Sequence, residues 1–256
     1  MDLTMWQMIL FVIAGGFLAA FVDSVVGGGG LISVPVLLMT GLPPHIALGT
    51  NKLGGTLSSL TSTLSFLKSG KIDLKLVRGL LPFTLVGAVA GTAALQKVPS
   101  DFLKPLVVVM LLAVTVYTLT RKSWGDVSTY RKLTAKSGFY MALAALGMGF
   151  YDGFFGPGTG SFLIFIFLML GFDFVTGAGN AKVLNFGSNI ASLSTFLFFG
   201  AVDFRYGIPM GLAMIAGSYV GSQVAIRKGA AYIRPLFIGM SVLLIGKQIW
   251  DLMHRG

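Results

Sequence analysis

Ten apolar stretches divide this chain and limit what it can fold into. They run over 5–25, 31–40, 44–67, 76–96, 103–120, 138–155, 161–170, 177–199, 206–226 and 233–250. A helix needs about 20 predominantly apolar residues to cross a bilayer. The second and seventh stretches have only ten residues each, so each is expected to form part of a broken or re-entrant helix pair. The apolar residues come in continuous runs rather than at amphipathic spacing, which points to lipid as the solvent. Only 11% of the residues are charged, against about 25% in an ordinary soluble domain. Met1-Asp2-Leu3-Thr4-Met5 lacks the basic start of a secretory signal, so the first run is expected to be a retained membrane helix.

The net charge is +10. In a soluble protein that would suggest nucleic acid. Here the basic residues sit in short loops between apolar runs and are read as topology signals, with no nucleic-acid partner. If all ten stretches cross, twelve of the 19 basic residues fall on one side and five on the other. The remaining two, Lys52 and Lys182, lie inside apolar stretches. Twelve against five places the central loop in the cytoplasm and both termini outside. The chain has no cysteine and only two well-separated histidines, His45 and His254, so neither a thiolate nor a histidine metal site is expected.

The two halves of the chain resemble each other. A shift of 130 residues pairs Gly28 with Gly158, Gly30 with Gly160, Gly49 with Gly179 and Lys52 with Lys182. It also pairs Ser58 with Ser188, Ser62 with Ser192, Asp73 with Asp203, Gly87 with Gly217 and Gly91 with Gly221. A one-residue gap then pairs Asp23 with Asp152. Glycines alone could coincide in so glycine-rich a chain; lysines and aspartates in the same frame argue for a duplication. Five crossings per half would make the halves antiparallel, an inverted repeat. The expected organisation is a first membrane repeat over 1–120, a basic cytoplasmic linker over 121–137 and a second repeat over 138–256.

Two matched constellations could carry chemistry. The first is Asp23 followed by Gly27, Gly28, Gly29 and Gly30, with its counterpart Asp152 followed by Gly156, Pro157, Gly158, Thr159 and Gly160. A helix is expected directly after each glycine run. Backbone N–H groups at a helix start favour an anion. The alternative is close helix packing through small residues. A Walker phosphate loop is excluded, because no Gly-Lys-Ser/Thr tripeptide is present. The second constellation is Gly49-Thr50-Asn51-Lys52 and Gly179-Asn180-Ala181-Lys182. A lysine at membrane depth costs about 2.5–3.5 kcal/mol on insertion scales. It either faces a cavity or snorkels to the interface. Thr56 and Ser59 follow Lys52, and Asn185 and Asn189 follow Lys182, at spacings that share a helix face with the lysine. Such a face could coordinate an oxyanion or hold helices together.

Asp23 and Asp152 each end a long apolar run. They could carry a coupling proton, cap the next turn or pair with a buried lysine. Asp73 and Asp203 begin polar turns and are read as helix caps. No catalytic set is present: there is no Gly-x-Ser-x-Gly elbow, no His-Glu-x-x-His helix and no cysteine nucleophile.

The glycine run after an aspartate, the Asn-Lys segment and their repetition resemble the TauE/SafE family of sulfite and organosulfur exporters. The resemblance rests on Asp23 with Gly27 to Gly30, Gly49-Thr50-Asn51-Lys52, Gly156 to Gly160 and Asn180-Ala181-Lys182. It extends from about Phe11 to Trp250. It implies a bacterial inner-membrane permease that moves sulfite, sulfoacetate or related sulfonates out of the cytoplasm. Ala181 stands where the first half has Asn51, so the two half-sites differ chemically.

The expectation is therefore an all-α polytopic membrane protein of two inverted repeats, about five helical segments each, with short broken helices after glycine-rich loops. The anion would be held by Gly28, Gly29, Gly30, Gly158, Thr159 and Gly160 with Lys52 and Lys182. Thr50, Asn51, Asn180, Asn185 and Asn189 would add hydrogen bonds. No cofactor is expected, and a homodimer is compatible with this reading. Two rivals stay open: a proton-coupled cation or metal permease using Asp23 and Asp152, and a non-transporting membrane scaffold.

Overall fold

A computed structural model describes residues 5–99, 102, 109, 128–130 and 134–253, with side chains as far as 229. The apolar stretch expected over 103–120 and most of the linker over 121–137 lie outside the described residues. Eight helices and no strand are present among the described residues. They are α1 (Met5–Val26), α2 (Gly30–Met39), α3 (Pro44–Lys68), α4 (Leu74–Leu95), α5 (Ala135–Phe154), α6 (Thr159–Met169), α7 (Phe174–Phe198) and α8 (Phe204–Met253). The helix α8 is interrupted at Gly229, where φ 62° and ψ −161° leave the helical region. That break separates the two stretches expected over 206–226 and 233–250.

Local chemistry sets the helix starts. Pro44 opens α3, where its missing N–H is not needed. The carboxylates of Asp73, Asp173 and Asp203 accept from Leu76, Thr176 and Tyr206 N–H groups at 3.1, 3.0 and 3.0 Å. These bonds satisfy donors that α4, α7 and α8 leave free in their first turns. Asp73 and Asp203 are thus caps, as their positions suggested. Thr134 and Ser137 open α5 with a reciprocal capping box.

The 130-residue shift carries the bounds of α3 onto those of α7, and the start of α4 onto that of α8. Each half packs mainly against the other. The most extensive contacts join α1 to α8 and α4 to α5, followed by α3 with α8 and with α7. Small residues permit this closeness. A Cβ at Gly87 or Gly91 would stand 2.1 or 2.0 Å from the carbonyl oxygens of Leu146 or Phe150 on α5. The counterparts Gly217 and Gly221 meet the Phe17 and Phe21 carbonyl oxygens of α1 at 2.2 and 2.4 Å. Both pairs follow the small-xxx-small pattern that draws helices together in lipid.

The helices α3 and α7 run antiparallel. Thr50, near the start of α3, accepts from the Asp203 N–H just past the end of α7 at 2.9 Å. Asn180, near the start of α7, accepts from the Asp73 N–H just past the end of α3 at 2.7 Å. The inner faces of these two helices are polar: Ser58, Ser62, Ser188 and Ser192 are all buried. The outer surface is apolar, with Trp6, Leu10, Val86, Phe198 and Leu212 all more than 60% exposed. Buried polar helix faces beneath an apolar exterior suit lipid. Two described helices, Met5–Val26 and Leu74–Leu95, are long and apolar enough to cross a bilayer. The shorter α2 and α6, of 10 and 11 residues, rise only about 15 Å, half of a hydrocarbon core of about 30 Å.

Candidate functional site

The two glycine-rich breaks meet face to face. The chain leaves α1 through Gly27 and Gly28, with φ of 78° and 86°, and re-enters a helix at Gly30. It leaves α5 through Gly156 and Gly158, with φ of 97° and 88°, and re-enters at Thr159. A Cβ at Gly27 would lie 2.2 Å from the Ser161 backbone nitrogen, so only glycine permits this approach. The Ser161 hydroxyl donates to the Val26 carbonyl at 3.0 Å and ties the two breaks together.

Each buried lysine reaches the break of the opposite half. Lys182, on α7, donates to Asp23 Oδ2 at 2.7 Å and also to the Asp23 carbonyl oxygen. Asp23 Oδ1 in turn accepts from the Gly29 N–H at 3.2 Å, which secures the start of α2. Lys52, on α3, lies 2.9 Å from Asp152 Oδ2, with both side chains 2% exposed. That contact is an ion pair without hydrogen-bond alignment, and Asp152 Oδ2 has no hydrogen-bond partner. Four charged groups of zero net charge therefore surround the junction. A buried charge costs several kcal/mol unless it is paired, so each lysine and aspartate stabilises its partner. Of the readings open for the aspartates, the geometry displays pairing with a lysine for both and, for Asp23, capping of the next turn as well.

Beside this junction lies a half-open pocket with about 430 Å³ of empty space, its mouth included. The space open to the centres of water-sized spheres is about 40 Å³, against about 10–15 Å³ for one water, so the pocket can hold a few waters or a small polyatomic ion. The starts of α2 and α6 contribute Gly29, Gly30, Gly158, Thr159 and Gly160 to its wall. The helix α3 contributes Asn51, Lys52 and Ser58, and α7 contributes Asn185 and Asn189. Asp23 and Asp152 complete the charged rim.

Four residues expected at an anion site stand elsewhere. Gly28 shapes the turn after α1 but is not on the wall. Thr50 and Asn180 give their side chains to the turns of the opposite half. Lys182 is fully buried against Asp23 behind the wall. The polar face beyond Lys52 also divides. The hydroxyls of Thr56 and Ser59 donate to the Lys52 and Gly55 carbonyl oxygens of their own helix, at 2.7 and 2.6 Å.

Three polar residues of the junction had no functional reading in the sequence. Ser33 donates to Asn51 Oδ1 at 2.6 Å and holds that amide at the wall. Ser161 links the breaks. Ser58 figured only as the repeat partner of Ser188, although its seven-residue spacing from Asn51 puts both on one face of α3, toward the cavity.

A chain whose described elements are all helices, with an apolar exterior and a polar cavity at paired helix breaks, belongs to the class of helical membrane transporters. Within that class the chain belongs to the TauE/SafE sulfite exporter family, whose model matches residues 12–247. The chain is 40% identical over 250 residues to Probable membrane transporter protein ORF9 of Sinorhizobium sp, covering 97% of this chain and 95% of that one. A Probable membrane transporter protein of Haemophilus influenzae is 37% identical over 237 residues, 92% of each chain. Probable membrane transporter protein YfcA of Escherichia coli is 34% identical over 245 residues, 95% of this chain and 89% of its own. No solved structure matches the chain. The family is one of membrane transporters rather than enzymes.

Proposed function

We propose that this protein exports a small sulfur-containing anion, such as sulfite, sulfoacetate or a related organosulfonate, across the bacterial inner membrane by alternating access. The observation that carries the reading is the cavity wall itself, where the starts of α2 and α6 flank Lys52. Two helix N-termini each present a partial positive charge of about +0.5. The four charged side chains cancel, so the helix ends tip the cavity toward an anion. The antiparallel α3 and α7 support an inverted repeat across the membrane, in which one half moves against the other. The basic linker over 121–137 then faces the cytoplasm and both termini face outward. An inside-negative potential favours outward movement of an anion by about 2.3 kcal/mol per charge per 100 mV. A coupling proton would ride on Asp23 or Asp152, which both border the cavity.

The test is transport by the purified protein in proteoliposomes. Labelled sulfite or sulfoacetate should move saturably, and an imposed potential should set the direction. Absence of flux for every sulfur oxyanion would overturn the reading. Flux of divalent metal in its place would establish the cation alternative.

A further inference from the structure

We infer that the two half-sites are unequal: Lys52 and Ser58 on α3 form the anion's direct side-chain contacts, while Lys182 and Asp23 are a fixed brace. This rests on the proposed anion reading and assigns roles within that site. The duplication supplies the comparison. Lys52 and Lys182 are repeat counterparts, yet their hydrogen-bonding differs. Lys182 has two acceptors, the Asp23 carboxylate and the Asp23 carbonyl, and no place on the cavity wall. Lys52 has one misaligned contact and lies on the wall, so donor capacity remains for a ligand.

A second pair of counterparts repeats the contrast. The Ser188 hydroxyl donates to the Asn185 carbonyl oxygen at 3.0 Å. The Ser58 hydroxyl has no partner, although the residue is 3% exposed and on the wall. A buried hydroxyl without a partner is unfavourable, and a ligand oxygen would relieve that cost. Asn51, held by Ser33, lies on the wall where its counterpart Ala181 has no polar group to offer. Three neighbouring positions therefore leave the α3 copy open and the α7 copy committed or apolar. Asp23 bonds both Lys182 and the Gly29 amide just before α2, so that pair orients a helix start.

The experiment compares charge-balanced variants in proteoliposomes and in detergent, with sulfite and sulfoacetate as probes. Lys52→Gln with Asp152→Asn should abolish anion-dependent thermal stabilisation while the protein stays folded. Lys182→Gln with Asp23→Asn should melt lower than the parent and alter coupled flux, yet keep a rise in melting temperature on adding the anion. Ser58→Ala should raise KM about tenfold, the loss of one charge-assisted hydrogen bond, with an unchanged melting temperature. An unchanged KM in Ser58→Ala overturns the inference. So does a folded Lys182→Gln/Asp23→Asn protein that loses the anion as completely as the Lys52→Gln/Asp152→Asn protein. Both results are read against a parent protein that binds the probe. A parent that neither binds nor moves any sulfur oxyanion removes the anion reading itself.

Discussion

Lys182 and Asp23 illustrate how much a single buried contact decides in this chain. Removing one partner of a buried ion pair costs about 3–5 kcal/mol, because the other charge stays behind unpaired. Asp23 is 18% exposed, so solvent screens the remaining charge and Lys182→Met should fall at or below the low end of that range. Thermal unfolding in detergent measures this, and a melting temperature equal to the parent's would refute it. Thr50→Val and Asn180→Leu form a matched pair. Each orphans a partly buried backbone N–H, at Asp203 or Asp73, and should cost about 1 kcal/mol. The residue types at the junction were visible in the chain as matched aspartates, glycines and lysines. Their partners were not. Lys182 and Asp23 are 159 residues apart, and no spacing rule encodes that meeting.

At the scale of helices, the breaks before α2 and α6 were readable because glycine runs interrupt apolar segments too short to span. Which contact demanded each glycine was not readable. Gly27→Ala places a Cβ at a positive φ and 2.2 Å from the Ser161 nitrogen. Strain and overpacking of this kind cost about 1–3 kcal/mol each. The variant should unfold at lower temperature and lose anion-dependent stabilisation. Gly79→Ala, in the exposed part of α4 with nothing within 4 Å of its Cβ, is the control. It should be neutral or stabilise by up to about 1 kcal/mol, since alanine favours the helix. The glycines at 87, 91, 217 and 221 appeared in sequence only as repeat matches. Their packing role emerges from the helix they touch, in the other half in every case.

Across the whole molecule, the arrangement of the halves makes a prediction about sidedness. The chain has no cysteine, so single introduced thiols report without background. Ser69 follows α3 and Phe199 follows α7 at counterpart positions. With antiparallel α3 and α7 crossing the membrane, Ser69→Cys and Phe199→Cys should react with an impermeant maleimide from opposite faces of intact cells or oriented vesicles. Labelling of both from one face would overturn the inverted arrangement.

The chain alone determined its solvent and its rhythm. Long apolar runs and scarce charge require lipid, because no water-soluble surface can be made from them, and a shift of 130 residues aligns the glycines, lysines and aspartates of the two halves. Tertiary structure decided which lysine faces the cavity and which is held behind it. The two halves carry nearly the same residues, but each is completed by the other, and only folding brings a lysine of one half against an aspartate of its neighbour.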